Sequence, residues 1–211
     1  MSNAAESHSS EHHTSLGVDN RKLAWWMIIA SECMLFGALI STYLLYRGKS
    51  LIGPYPHTSW EAPDGTVVGP ILDIPLTSLS TFVLLMSSLA MVLALAAVQR
   101  SDRKQSVLWL FVTAGMGLAF LGFQAYEFWS FTMKGLGLTQ NLFSASFYVL
   151  TGFHGAHVFV GVVWLTTLGI LAKKGKIPPE KSMNVETAGL YWHFVDVVWI
   201  LIFTLVYLIP H

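Results

Sequence analysis

Five stretches of this sequence are apolar for more than twenty residues each, and they fix the architecture before any single motif is considered. They run from Leu23 to Tyr46, Pro75 to Val98, Val107 to Met133, Leu142 to Ala172 and Val185 to Ile209. About 20 apolar residues suffice for a helix to cross a hydrocarbon core. The expected fold is therefore all-α: a polytopic membrane protein, a bundle of five transmembrane helices whose connections are too short for an extramembrane domain. Hydrophobic residues make up 54% of the chain and charged ones 11%, far from the balance of a soluble domain.

Orientation follows from the lysines and arginines. With the N-terminus in the cytoplasm, the inner side carries Arg21, Lys22, Arg100, Arg103, Lys104, Lys173, Lys174, Lys176 and Lys181, and the outer side only Arg47, Lys49 and Lys134. That asymmetry satisfies the positive-inside rule. An odd number of spans then places the C-terminus on the periplasmic face.

Residues 1–20 form a polar Ser/His-rich tail without the apolar core of a signal peptide, leaving residues 21–211 as the membrane domain. His8, His12 and His13 in that tail suit a disordered segment better than a metal site. The lone Cys33 offers neither a disulfide framework nor a thiolate site. Between Gly48 and Asp73, Pro54, Pro56, Pro63 and Pro70 predict an irregular outer loop, with Tyr55, His57 and Trp60 suited to the membrane interface. The short SDRKQS link makes the second and third helices antiparallel neighbours. No internal repeat is visible, which counts against a transporter of inverted halves.

Ionisable groups inside such helices are costly and turn towards protein, water or headgroups rather than lipid tails. Glu32 lies about 15 Å beyond the basic anchors at 1.5 Å per residue, and His154, His157, His193 and Asp196 reach the same layer. Gln124 and Glu127, one turn apart, lie nearer the outer surface, and Glu186 nearer the inner one. On the fifth helix Glu186, His193 and Asp196 fall within roughly 80° of one another, beside a stripe of Trp192 and Trp199. His154 and His157, at i and i+3, share a face. Metal ligation is one use of such a pair, but Gly152 and Gly155 beside them favour close helix packing with interhelical hydrogen bonds. His193 with Asp196 has the form of a carboxylate-oriented histidine, though a structural hydrogen-bonded pair is the simpler reading. Glu32 has only Ile28 and Phe36 one turn away, so its partner must come from another helix, water or a headgroup; proton handling and structural bonding are equally open to it. Ser78, Ser80, Ser87 and Ser88 read as close packing of the second helix, and Trp25, Trp26, Phe128 and Trp129 as interface anchors or packing.

Four segments, WMIIASECMLFGALIS, FQAYEFWSF, SFYVLTGFHGAHVFVGV and VETAGLYWHFVDVVW, taken in order, resemble subunit III of the haem-copper terminal oxidases, in a short bacterial form that lacks the first two of seven helices. The resemblance implies an accessory subunit of the inner membrane that holds no redox centre. It implies haems and copper in partner subunits, phospholipid in a cleft of this chain, oxidase subunits I and II and a small subunit IV as partners, and a larger respiratory assembly around them. No nucleic-acid partner is expected. It further implies that Glu32, Gln124, Glu127, His154, His157, Glu186, Trp192, His193 and Asp196 line the lipid cleft and polar interior, and that the subunit supports oxygen access and proton uptake. GFHGAHV, with Glu186 seven residues before His193, resembles the cytochrome c group more than the quinol group.

The residues bound the alternatives. A catalytic core with two haems and a copper needs roughly six histidine ligands, and the five spans hold only His154, His157 and His193. A small haem or metal protein using those three, subunit III of a quinol oxidase, and a proton-coupled transporter using Glu32 and Asp196 remain as competing functions.

Overall fold

Helix starts in this chain are fixed by side-chain caps that satisfy the first free N–H groups. Asp73 accepts from Leu76 N at 3.2 Å and opens α2, Ile74–Gln99, with Pro75 in the first turn. Asp102 accepts from Gln105 N at 3.1 Å and opens α3, Arg103–Met133. Asn141 and Ser144 form a reciprocal capping box for α4, Leu142–Lys173. Helix α1 spans Asn20–Tyr46, and α5 spans Ser182–Phe203 before widening into a π turn, Thr204–Leu208. The computed structural model describes residues 20–50, 53, 55–61, 65, 67–177 and 182–209. The tail with His8, His12 and His13, together with Pro54, Pro63 and Lys181, lies outside the described residues.

All five helices are long and apolar enough to cross a membrane. Their ends exceed the apolar runs where caps lie outside them: α3 begins at Arg103, four residues before Val107, because Asp102 is its cap. At 31 and 32 residues, α3 and α4 are about 46–48 Å long, well beyond the hydrocarbon core.

The ends of α2, α3 and α4 share one device, in which a residue at positive φ lets two N–H groups fold back on the last turn. Gly135 (φ 85°) and Gly175 (φ 72°) serve α3 and α4. Ser101 (φ 59°) does the same for α2, with Asp102 N bonding Ala97 O at 3.0 Å. Cations complete two ends: Arg103 Nε donates to Ala172 O at 3.1 Å and its Nη2 to Lys173 O, while Arg47 Nη2 donates to Ile209 O at 2.5 Å. A guanidinium there meets the negative end of a helix dipole.

Helices α2, α3, α4 and α5 pack as the body of the bundle, and α1 lies against α4 and α5. Only 6% of the α1 span is enclosed, against 33–50% of the other four. Its inward residues follow alternating steps of four and three: Trp25, Ile29, Glu32, Phe36. Trp25 stacks on Trp164 of α4 with ring centroids 4.9 Å apart, Phe36 meets His157 and Phe194 edge-on, and Tyr43 meets Phe143. Of the aromatic pairs expected as interface anchors or packing, Trp26 and Trp129 face outward and Trp25 is a packing residue.

The 48–73 connection, expected to be irregular, holds one short antiparallel hairpin, β1 (Trp60–Glu61) with β2 (Val67–Val68). Trp60 lies so close over Gly53 that no side chain fits there. Burial holds the His57 imidazole below the ordinary histidine range; the charge of Arg47 acts the same way and a hydrogen bond to the Val206 backbone opposes both. The folded state thus prefers the neutral ring. Its contribution is present above the unfolded value of about 6.5 and is lost as pH falls through the lower folded value. Proteolysis of this loop is expected to accelerate as pH falls below about 6.5, and His57→Gln to flatten that response. An unchanged acid response in His57→Gln would assign the effect to other groups.

Candidate functional site

The polar residues form one continuous seam and two separate pairs. The seam lies between α2 and α5, where α2 offers hydroxyls on one face and α5 brings aromatic N–H groups to them. Trp199 Nε1 donates to Thr81 Oγ1 at 2.9 Å, and Trp192 Nε1 donates to Ser87 Oγ at 2.9 Å. A buried indole N–H needs such a partner. One turn along, Ser88 Oγ donates to Asp196 Oδ2 at 2.7 Å and lies 3.1 Å from His193 Nδ1. His193 and Asp196 are therefore not directly paired, as their spacing led us to expect; a serine from another helix stands between them. Serine in the middle also rules out the order of a hydrolytic triad, in which histidine bridges serine and carboxylate.

The Trp192 ring occupies a slot formed by two glycines. A Cβ on Gly117 of α3 would lie 2.6 Å from its Cη2, and one on Gly161 of α4 would lie 2.8 Å from its Cε3. Four helices therefore meet at this one side chain.

Gln124 and Glu127 diverge despite being one turn apart. Gln124 Nε2 donates to Thr151 O of α4 at 2.7 Å, and its amide fills the space left by Gly155. Glu127 instead accepts from the Thr77 hydroxyl of α2 and, at 3.4 Å, from the Tyr207 hydroxyl in the π turn. Glu127 is 4% exposed, so its loss removes an acceptor from two buried hydroxyls, of which Thr77 keeps Asp73 O at 2.9 Å. Glu127→Ala is expected to lower stability by about 1–2 kcal/mol and Glu127→Gln by less, since an amide oxygen still accepts. Thermal unfolding in a mild detergent would measure both; equal losses would contradict the assignment.

His154 and His157, expected to share a face, serve different environments. His157 turns to α1: its Nε2 lies 3.2 Å from Glu32 Oε2 while Nδ1 donates to Phe153 O at 2.7 Å. Because a carbonyl only accepts, Nδ1 carries a hydrogen, and a single proton joins Nε2 to Glu32. Glu32 thus finds its partner on another helix. His154 is fully enclosed, stacked on Trp199 at 4.8 Å and meeting Phe120 edge-on at 5.8 Å. Neither of its ring nitrogens has a hydrogen-bond partner among the described residues. The interhelical bond expected of the pair is made by His157 alone.

Glu186 is drawn away from His193 and Asp196. It pairs at 2.8 Å with Lys22, each side chain being about a third exposed (36% and 37%), a pair worth at most about 1 kcal/mol. Beside it, where α1, α4 and α5 meet, a cavity of about 450 Å³ opens between Trp25, Trp164, Leu168, Asn184 and Thr187. None of the nine residues expected in the lipid cleft and polar interior lines this cavity. Glu186 is the nearest of them in sequence.

Thr77, Thr81, Ser87, Ser88, Lys22 and Tyr207 belong to these networks and were not singled out as site residues from sequence. The signal available was the spacing of Thr77, Thr81 and Ser88 on one face of α2. Close packing alone accounts for Ser80, which bonds Thr77 O at 2.9 Å, but not for Ser87 and Ser88.

No three His, Cys, Asp or Glu side chains converge as a metal-binding group among the described residues. His154, His157 and His193 have aromatic, carboxylate and hydroxyl neighbours respectively, and do not share a centre. Among the described residues they do not form the three-ligand group of a metal centre.

Buried polar seams linking long apolar helices define a polytopic membrane bundle. The chain belongs to the cytochrome c oxidase subunit III family, whose model matches residues 2–210. It is 37% identical to cytochrome c oxidase subunit 3 of Alkalihalophilus pseudofirmus over 201 residues, covering 95% of this chain and 92% of that one. It is 35% identical to cytochrome c oxidase subunit 3 of Bacillus subtilis (95% of this chain, 91% of that one) and 34% identical to the quinol oxidase subunit 3 of the same organism (88% and 85%). The chain is thus an accessory subunit of a haem-copper oxidase, a multi-pass protein of the bacterial cytoplasmic membrane.

Proposed function

We propose that this chain is the non-redox subunit III of a cytochrome c oxidase, stabilising the catalytic subunit and holding phospholipid between α1 and the α4–α5 pair. The single observation that carries the structural role is the α2–α5 seam. Its polar groups are spent on tying helices together, with Trp192 and Trp199 bound to Ser87 and Thr81. Haems and copper then belong to subunits I and II, with a small subunit IV and a larger respiratory assembly as further partners. The cavity at Trp25 and Trp164, one turn from the Lys22–Glu186 pair, has apolar walls for acyl chains and paired charges for a headgroup. An N-terminus in the cytoplasm agrees with Lys22, Arg103, Lys173 and Lys174 gathering at one end of the bundle. The interior carboxylates support proton uptake, and the phospholipid cleft supports oxygen access. Cytochrome c is preferred to quinol as donor on GFHGAHV and Glu186.

The test is a reduced-minus-oxidised visible spectrum of the material that copurifies with the tagged chain, with lipid analysis and donor assays. Haem in larger companion subunits, absent from the chain made alone, with bound phospholipid and oxidation of reduced cytochrome c, is the expected result. Haem retained by the lone chain would overturn the non-redox role, and turnover with quinol alone would overturn the donor.

A further inference from the structure

Outward-facing polar groups on this bundle are, as a rule, satisfied within their own helix. On α1, Ser31, Ser41 and Thr42 bond the carbonyls of Ile28, Gly37 and Ala38 at 2.9, 2.7 and 2.9 Å. On α4, Thr167 bonds Val163 O at 2.8 Å. A hydroxyl folded back in this way is compatible with lipid.

His193 departs from that pattern. Ser88 has one hydroxyl proton, and it goes to Asp196 Oδ2. The 3.1 Å approach of His193 Nδ1 to the same oxygen is then attractive only when Nδ1 is the protonated nitrogen. The tautomer leaves a lone pair on Nε2, at the far edge of the half-buried ring. Nε2 is not enclosed and meets no hydrogen-bonding group among the described residues. An imidazole cannot fold back as a serine does once its other nitrogen is committed. Towards the C-terminal end of α5 the surface is apolar: Val197 and Ile200 follow at one and two turns, and Leu89 and Val92 follow Ser88 on α2, all exposed; two turns the other way Glu186 is paired with Lys22. Histidines at this depth face protein or water, and acyl chains have no donor to offer.

We infer that the outer edge of the α2–α5 seam, centred on His193, is a docking face for a transmembrane helix of another oxidase subunit, which brings an N–H or O–H donor to Nε2. The occupant is specified by complementarity. Beyond the Lys22–Glu186 pair, which lies two turns before His193, the face is apolar except for one acceptor, hydrogen-bonded through Ser88 to Asp196, so the partner helix is apolar with a single serine, threonine, tyrosine or tryptophan at that level. The inference rests on membership of an assembled oxidase.

The test introduces the photocrosslinker p-benzoylphenylalanine at Val197 and, separately, at Leu89 in the intact oxidase, with Met34 on the outer face of α1 as the comparison position. Illumination is expected to join Val197 and Leu89 to another oxidase subunit, identified by mass spectrometry, with at least five-fold higher yield than Met34. His193→Phe is expected to lower that yield several-fold. Adducts with lipid only, or with a second copy of this chain, would overturn the docking face while haem subunits still copurify. Failure of the haem subunits to copurify at all would sink the oxidase reading and the inference with it. Because the crosslinks are read with His193 in place, a His193 variant that does not fold leaves the test intact.

Discussion

Trp192→Ala should unfold this subunit earlier than any other single truncation in the seam, at a cost of about 3–5 kcal/mol. The indole is 1% exposed and is held by an N–H bond to Ser87 on one edge and glycine backbones of α3 and α4 on its faces. In lipid the driving force for helix association is packing and hydrogen bonding rather than release of water. A void at the point where four helices meet forfeits both. The reverse change tests the same slot: a Cβ on Gly161 lands 2.8 Å from two ring carbons, so Gly161→Val must expel the ring or part the helices, at about 1–3 kcal/mol. Heating the detergent-solubilised oxidase and following the retention of this chain on native gels would rank the variants. A Gly161→Val subunit as heat-resistant as wild type would contradict the close approach.

Removing either half of the Glu32–His157 pair should cost about 1.5–3 kcal/mol, and removing both should cost less than the sum. The pair is the polar link between α1 and α4 in the described residues, partly shielded at 17% and 26% side-chain exposure. Glu32→Gln is informative because His157 Nδ1 is already committed to Phe153 O. A glutamine amide N–H can donate to the Nε2 lone pair, so near-wild-type stability is expected if the native pair is neutral. A loss as large as that of Glu32→Ala would mean an ion pair. A double-mutant cycle with Glu32→Ala and His157→Ala gives the coupling directly, and strict additivity would show that the contact contributes nothing.

The spans, the class of fold and the antiparallel α2–α3 pairing were legible because they depend on local quantities: apolar length, and the shortness of the SDRKQS link. Partners were not. Glu32 was read as lacking a neighbour on its own helix, and its partner lies 125 residues on. Same-face reasoning joined His193 to Asp196 and His154 to His157, and in both cases a second helix intervened: Ser88 is 108 residues from Asp196, and Trp199 and Phe120 enclose His154. One-helix geometry ranks residues by angle, whereas hydrogen bonds across a bundle depend on interhelical register. The hydroxyls of α2 were underrated for the same reason, since small residues signal close approach but do not say what approaches.

The peripheral position of α1 also sets a schedule. It is made before the other four helices, yet among the described residues the helices it packs against are chiefly α4 and α5. At roughly 5–20 residues per second, the 125 residues between Glu32 and His157 take about 6–25 s to appear. Through that interval α1 stands alone in the bilayer with its carboxyl group and Trp25, Phe36 and Tyr43 uncovered, and the bundle closes around it last.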